Sequence, residues 1–244
     1  NSISIELLLE KLEFLKHRDE KLYHLFERIL KQEQVWENGV LIKDSHGAMA
    51  GTPISPFFAN VYLKDVDSWF FKKNIPYYRY SDDILIFAGN EKQLEERKKY
   101  FYELIESHKL TINPDKVTFS KPGEPWEFLG FSYDHGKLDL SENTKRKTKT
   151  KIKRKAEALR RWQRKKGLTT DKAAIGFIRA MNRKFYGSED TDDFTWNRWF
   201  FPNITEDSGL KEIDAYMQQY IRYTVTGRHY KGNYRISYEQ LKKW

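Results

Sequence analysis

The sequence predicts an α+β fold, an antiparallel sheet with packed helices over residues 1–140 followed by an all-helical, basic part over residues 141–244. Three observations carry this reading. Short runs of aromatic and β-branched residues, broken by tight polar turns, recur between Val35 and Leu138 among amphipathic helical patterns, an order that points to antiparallel pairing. After Ser141 strand signals fade and only helical spacing remains. The net charge of +9 is concentrated in that second part: Lys145 to Lys166 holds thirteen basic residues against Glu157 alone, a net of +12 that leaves −3 for the rest.

In chain order, Ile5, Leu8, Leu9, Leu12 and Leu15 recur at helical spacing after Ser4, a residue suited to the N-cap. A second helix starts from Asp19, with Leu22, Leu25, Phe26, Ile29 and Leu30 on one face. Val35 to Ile42 reads as two short extended pieces about Asn38-Gly39, a strong hairpin turn. A loop of small residues and prolines, His46 to Pro56, then leads into a helix whose apolar positions are Phe57, Val61, Leu63, Val66 and Phe70. Pro76 to Ala88 reads as a hairpin, and Asn90 caps a helix reaching His108 with Leu94, Phe101, Leu104 and Ile105 inward. Strands are expected at Leu110-Thr111-Ile112 and Lys116 to Ser120, and a further hairpin from Trp126 to Leu138. Helices are expected at 142–166, 171–186 and 209–224, with an Asp- and aromatic-rich loop from Thr191 to Asn203.

Composition removes several kinds of chemistry. The chain of 244 residues contains no cysteine, which excludes disulfides, thiolate zinc sites, iron–sulfur clusters and a cysteine nucleophile. Its six histidines are scattered, so carboxylates are the remaining metal-ligand type. Mean hydropathy is −0.81, no segment is apolar for about 18 residues as a membrane span requires, and the first residues lack a signal-peptide pattern.

Two segments carry chemistry. Tyr80-Ser81-Asp82-Asp83 places two carboxylates at a hairpin tip. Adjacent carboxylates repel by about 1 kcal/mol in water and about 4 kcal/mol near a protein surface, at roughly 4 Å. A hard divalent cation offsets that cost, since Mg²⁺ takes one or two carboxylates and completes its shell with water and substrate phosphate. Metal-dependent phosphoryl or nucleotidyl transfer is one reading of these residues, and an exposed acidic turn is the other. The second segment is the basic one, where Ile152, Ala156 and Leu159 form an apolar stripe with basic flanks. Such a helix suits a polyanion.

In order and spacing these motifs resemble reverse transcriptases, in particular the bacterial lineage of group II intron maturases, retrons and defence-associated enzymes. Tyr80-Ser81-Asp82-Asp83 resembles that family's Tyr-x-Asp-Asp metal hairpin, with Asp82 and Asp83 as metal ligands. Gly51, Thr52, Pro53 and Ser55, with Asn60, resemble the loop and helix lining template and incoming nucleotide, joined by Tyr80 and Ser81. Leu110 to Lys116 is similar to the following lysine-bearing loop, which makes Lys116 a candidate to protonate or neutralise the pyrophosphate leaving group. Phe128, Leu129 and Gly130 resemble the hairpin gripping the primer end, and the basic helical part stands where the thumb would be. Lys151, Arg154, Lys155, Arg161 and Arg164 are then expected on the duplex backbone. Trp196, Trp199 and Phe200 are read as core before they are read as base-stacking residues.

The resemblance implies a polymerase palm followed by a thumb, and an RNA-directed DNA polymerase of the bacterial cytoplasm. It implies two Mg²⁺ ions, with Mn²⁺ an alternative, and as partners deoxynucleotides and an RNA template with primer or an RNA–DNA duplex. A dedicated non-coding or intron RNA is a further partner in this lineage. Two departures stand out. Asn1-Ser2-Ile3 resembles the end of the segment following the family's first metal-binding aspartate, so that ligand and the fingers are expected upstream and the fragment alone is expected to be inactive. Ala50 replaces the glutamine common before Gly51, which leaves untemplated or specialised synthesis in antiphage defence open. The same residues also admit a non-catalytic RNA-binding scaffold or an RNA-templated RNA polymerase.

Overall fold

The structure, a computed structural model, describes residues 3–32, 34–37, 40–43, 53–187, 195–229 and 236–244, with the backbone alone at 34–37 and 40–43. The chain divides into two compact units, Asn1–Thr118 and Phe119–Trp244.

In the first unit, α1 (Ile5–Lys11) begins where the Ser4 hydroxyl accepts from the Leu7 N–H, and α2 (Glu20–Lys31) where Asp19 accepts from the Leu22 N–H at 3.0 Å. Each cap satisfies one of the orphan donors at a helix start. Strands β1 (Gln34–Glu37) and β2 (Val40–Lys43) pair antiparallel; the turn Asn38-Gly39 lies outside the described residues. Helix α3 (Ser55–Lys72) follows, with Pro56 in its first turn, then β3 (Tyr77–Tyr80), β4 (Asp83–Ile86) and α4 (Glu91–Ser107), capped by Asn90. The core of this unit centres on α3, whose Phe58, Tyr62, Val66 and Phe70 are wholly buried at four-residue spacing against Leu8, Leu12 and Phe26. Two expected faces hold in part. On α3, Leu63, Val66 and Phe70 are inward as expected and are joined by Phe58 and Tyr62, while Phe57 is exposed; on α2, Phe26 and Leu30 are inward as expected and are joined by Tyr23, while Leu25 and Ile29 are exposed. Both helices carry more apolar residues than one stripe holds, so spacing alone leaves the buried edge ambiguous.

Strands at Leu110-Thr111-Ile112 and Lys116 to Ser120 do not form: the segment is irregular around a 3₁₀ turn at Pro114–Lys116. Asn113 is the reason, because its Oδ1 accepts from the Asp115 N–H at 3.0 Å while Pro114 has no N–H to donate to a ladder. Leu110 and Ile112 still pack against the core.

The second unit opens with an antiparallel meander, β5 (Trp126–Phe128), β6 (Phe131–Asp134) and β7 (Lys137–Leu140). Among the described residues the strands thus form three separate small sheets instead of one. Helices α5 (Glu142–Lys165), α6 (Thr170–Tyr186) and α8 (Ser208–Thr226) pack on one another around Ile152, Ala156, Phe177, Met181 and Ile213, with short α7 (Trp196–Trp199) and α9 (Tyr238–Leu241) beside them. Within the expected loop Thr191 to Asn203, residues 191–194 lie outside the described residues and α7 occupies the remainder. Asp139 of β7 accepts from the Gly209 N–H at 2.8 Å and from the Ser208 hydroxyl, which caps α8 from the sheet. Gly209 permits that approach, since a Cβ there would lie 2.6 Å from Asp139 Oδ1. This capping and the burial of Leu140 in the helical core explain why the packing boundary falls after Thr118, upstream of the position near 140 drawn from strand signals. Among the described residues no helix is long and apolar enough to cross a membrane.

Candidate active site

The carboxylate pair sits on the β3–β4 hairpin. Tyr77 pairs with Ile86 and Tyr80 with Asp83, so Ser81 and Asp82 form a two-residue turn and Asp83 is the first residue of β4. Strand alternation turns Tyr77 and Arg79 toward α3 and leaves Tyr78 and Tyr80 exposed. Tyr77 stacks on buried Phe70 with ring centroids 4.4 Å apart, which seats the hairpin on the core. Ser81 adopts φ 58°, a left-handed conformation that costs a non-glycine residue about 1 kcal/mol. A positive φ at the first turn position suits the twist of a two-residue hairpin. Asp82 and Asp83 are exposed, and neither carboxylate pairs with another described residue. Nor does any cluster of three Asp, Glu, His or Cys form among the described residues. Two adjacent, uncompensated, water-facing carboxylates are hard oxygen donors that fit Mg²⁺, which binds through one or two carboxylates and keeps several waters.

Behind the tip lies a network that sequence reasoning missed. Arg79 Nε donates to Asp67 Oδ1 at 2.8 Å and its Nη2 to Asp67 Oδ2, a two-point pair from β3 to α3. Its Nη1 donates to Asn60 Oδ1 at 3.1 Å and to the Ser81 carbonyl at 3.0 Å. The Tyr77 hydroxyl donates to Asp67 Oδ1 at 2.9 Å. Hydrogen bonds donated to Asp67 strengthen protonation of Arg79, and burial together with the Asp67 charge pushes the Tyr77 hydroxyl above the ordinary phenol range. The available signal was strand parity: Arg79 is two residues from Tyr77, on its inward face.

The other residues expected in the first unit stand as follows. Gly51 and Thr52 lie outside the described residues, as does Ala50. Pro53 is exposed, Ser55 begins α3, and Asn60 is an exposed residue of α3 whose side-chain oxygen is engaged by Arg79. Lys116 is exposed at the end of its 3₁₀ turn, and no hydrogen bond or ion pair joins it to Asp82 or Asp83.

In the second unit, Phe128 pairs with Phe131, and the turn between them is Leu129 at φ 50° and Gly130 at φ 87°. Positive φ at both central residues is what a type I′ turn demands, and leucine is an unusual occupant of it. The Gly130 carbonyl accepts from the Ser141 N–H and from Thr144 Oγ1, both at 2.9 Å. The turn is thereby mounted on the first turn of α5. Phe131 packs on Trp199 and Phe200; Trp196 is buried in the helical core and Phe200 packs against it, so these two serve the core.

Along α5, Ile152 and Ala156 are buried and Leu159 is partly so, and the helix turns Lys151, Arg154, Lys155, Arg161 and Arg164 to solvent without an ion pair among the described residues. The remaining cations of this helix are not equivalent. Lys145 and Lys149 pair with Glu212 of α8, and Arg160 Nη1 donates to the Thr224 and Val225 carbonyls, each at 2.7 Å, closing the C-terminus of α8. On α6, burial and then the nearby Lys151 charge push the half-buried Lys184 amine down to about 8.

The profile of the reverse transcriptase (RNA-dependent DNA polymerase) family matches residues 1–133, more than half of the chain and the whole of the β3–β4 hairpin. No curated protein shows a match to the chain.

Proposed function

The chain belongs to the reverse transcriptase family, and from that premise we propose that it is an RNA-directed DNA polymerase of the bacterial lineage, extending a primer 3′-hydroxyl with deoxynucleotides on an RNA template. The observation that carries the proposal is the exposed, uncompensated Asp82-Asp83 pair at the tip of a hairpin inside the matched region. In this reading residues 1–140 supply the palm and residues 141–244 the thumb. Asp82 and Asp83 would hold Mg²⁺, or Mn²⁺ in its place, and the bound ions would supply charge stabilisation to the attacking and leaving oxygens of an in-line displacement.

The chain's own residues take the remaining roles. Tyr80 and Ser81, with Gly51, Thr52, Pro53, Ser55 and Asn60, face template and incoming nucleotide. Lys116 offers a positive charge and a proton to the departing pyrophosphate. Gly130, with Phe128 and Leu129, presents backbone to the primer end, which supports placing a double-stapled turn there. Lys151, Arg154, Lys155, Arg161 and Arg164 neutralise duplex phosphates, an interaction that is strong, salt-dependent and indifferent to sequence.

Primer extension tests the proposal. The full-length protein is assayed with Mg²⁺ and deoxynucleotides on an RNA template, a DNA template and no template, each beside Asp82→Ala. Extension on RNA that the substitution abolishes is the expected result. Addition without template would transfer the reading to untemplated synthesis and direct attention to Ala50. Tight RNA binding with no incorporation under any condition would replace the enzyme with a scaffold.

A further inference from the structure

We infer that Arg79 is a positioning residue that fixes the turn bearing Asp82, and that Asp67, by locking it, keeps the guanidinium from competing for the carboxylate pair; the inference rests on reading Asp82 and Asp83 as metal ligands. The turn's first central residue is Ser81 at φ 58°, so its backbone is held in a conformation that serine does not favour unaided. What holds it is the bond from Arg79 Nη1 to the Ser81 carbonyl at 3.0 Å. That carbonyl belongs to the peptide joining Ser81 to Asp82, so its direction sets where the Asp82 side chain leaves the backbone. The same Nη1 reaches Asn60 Oδ1 at 3.1 Å, two helical turns before Asp67 on α3. One planar guanidinium, its side chain only 8% exposed, thus fastens the tip of a two-stranded hairpin to a rigid helix at two places. Lysine has the charge but not the fork that makes four directed bonds at once.

Asp67 has a second consequence. By taking both Nε and Nη2 it neutralises the one arginine on this hairpin. Released from Asp67, a guanidinium three residues from Asp82 becomes an internal counter-ion for the pair, in competition with any divalent cation. Loss of Asp67 therefore weakens metal binding by two routes, through a loosened turn and through a rival charge.

The test compares the full chain with Asp82→Ala, Arg79→Lys and Asp67→Asn, reading Mn²⁺ binding by electron paramagnetic resonance and hydrogen exchange of the amides from Tyr80 to Ile84. Changes in groups that orient metal ligands cost about tenfold or more in metal affinity. Arg79→Lys and Asp67→Asn are each expected to weaken Mn²⁺ by about tenfold and to speed exchange at the tip, with the double variant no worse than the weaker single. In extension assays of the full-length protein carrying the same substitutions, the Mg²⁺ concentration at half-maximal rate rises while KM for the deoxynucleotide holds, a split that general destabilisation would not give. Should either variant fail to fold, Asn60→Ala removes one of the four bonds and carries the Mn²⁺-binding and hydrogen-exchange readouts at smaller size. Mn²⁺ bound as tightly by the variants as by the parent, or unchanged exchange at the tip, overturns the inference and leaves the family function intact. Mn²⁺ binding indifferent to Asp82→Ala overturns the metal reading itself, and the inference with it.

Discussion

Gly130→Ala is the most demanding check on the second unit, because three separate observations set its cost. At φ 87° alanine meets the left-handed penalty of about 1 kcal/mol. Its Cβ would stand 2.8 Å from Thr144 Oγ1, and 3.2 and 3.3 Å from two ring carbons of Phe200. Moving Thr144 breaks its 2.9 Å bond to the Gly130 carbonyl, worth about 1 kcal/mol, and moving Phe200 disturbs its packing on Phe131 and Trp196 for about another 1 kcal/mol. The total is about 3 kcal/mol, a fall in melting midpoint of roughly 6 to 12 °C for a chain of this size. Thermal and urea unfolding of the full chain measure it. Thr144→Ala supplies the internal control: alone it costs about 1 kcal/mol through the broken bond, and combined with Gly130→Ala it removes the closest clash, so the double variant is less damaged than the sum of the singles. A Gly130→Ala midpoint within a degree or two of the parent would refute the geometry of the turn, and strictly additive singles would refute the part assigned to Thr144.

Three further outcomes follow from the helical unit. Lys184 titrates near 8 when folded and near the ordinary lysine value when unfolded, so between those pH values the unfolded chain binds the proton that the folded chain does not, and stability from this group rises with pH across that window. Because the amine is only half-buried, screening reduces the effect to about 1 kcal/mol; Lys184→Met is expected to melt higher than the parent at pH 7, with the gap closing by pH 10, and an equal gap at both pH values would refute this. Arg160→Ala is expected to cost about 2 kcal/mol by freeing the two carbonyls at the end of α8, seen as a lower melting midpoint, while the salt dependence of duplex binding stays that of the parent. Replacing Lys151, Arg154, Lys155, Arg161 and Arg164 together by glutamine is expected to do the reverse: melting holds, and the slope of log affinity against log salt falls by about 0.9 for each phosphate that is no longer neutralised. An unchanged slope in that variant would place the nucleic acid on another face.

What the sequence disclosed depended on whether the deciding interaction was local. Ser4, Asp19 and Asn90 each cap the helix that follows, because a cap is settled within three residues of chain. The hairpin from Pro76 to Ala88 read correctly for the same reason, its register being fixed by a short turn, whereas the single hairpin expected from Trp126 to Leu138 is a three-stranded meander with a further turn at Leu129-Gly130. The segment from Leu110 to Ser120 misled because its apolar alternation matched a strand while Asn113-Pro114 satisfied the backbone within the turn. The inward edges of α2 and α3 were out of reach, since only the packing partner decides which of several apolar rows is covered. At the candidate site, the carboxylates announce themselves by adjacency, whereas Asp67 and Asn60 act across gaps of twelve and nineteen residues from Arg79. Nothing local in α3 marks Asp67 apart from Asp65, which instead pairs with Lys11.

That arrangement explains why the acidic tip stays acidic. Within five residues the hairpin carries one guanidinium and two carboxylates, and an exposed pair between them would gain up to about 1 kcal/mol. Strand parity works against it for Asp83. Cross-strand partners share a face, so Asp83 lies with Tyr80 and Arg79 lies with Ile84, on opposite sides of the ribbon. Asp67 then completes the separation by pairing Arg79 on the α3 side. The repulsion between Asp82 and Asp83, about 1 kcal/mol in water and rising as the site dries, therefore has no internal remedy among the described residues. A fold that places a cation beside two carboxylates and directs it away from them gains no stability by doing so. What it retains is a negative site open to an external divalent ion, held in shape by the arginine that could otherwise have quenched it.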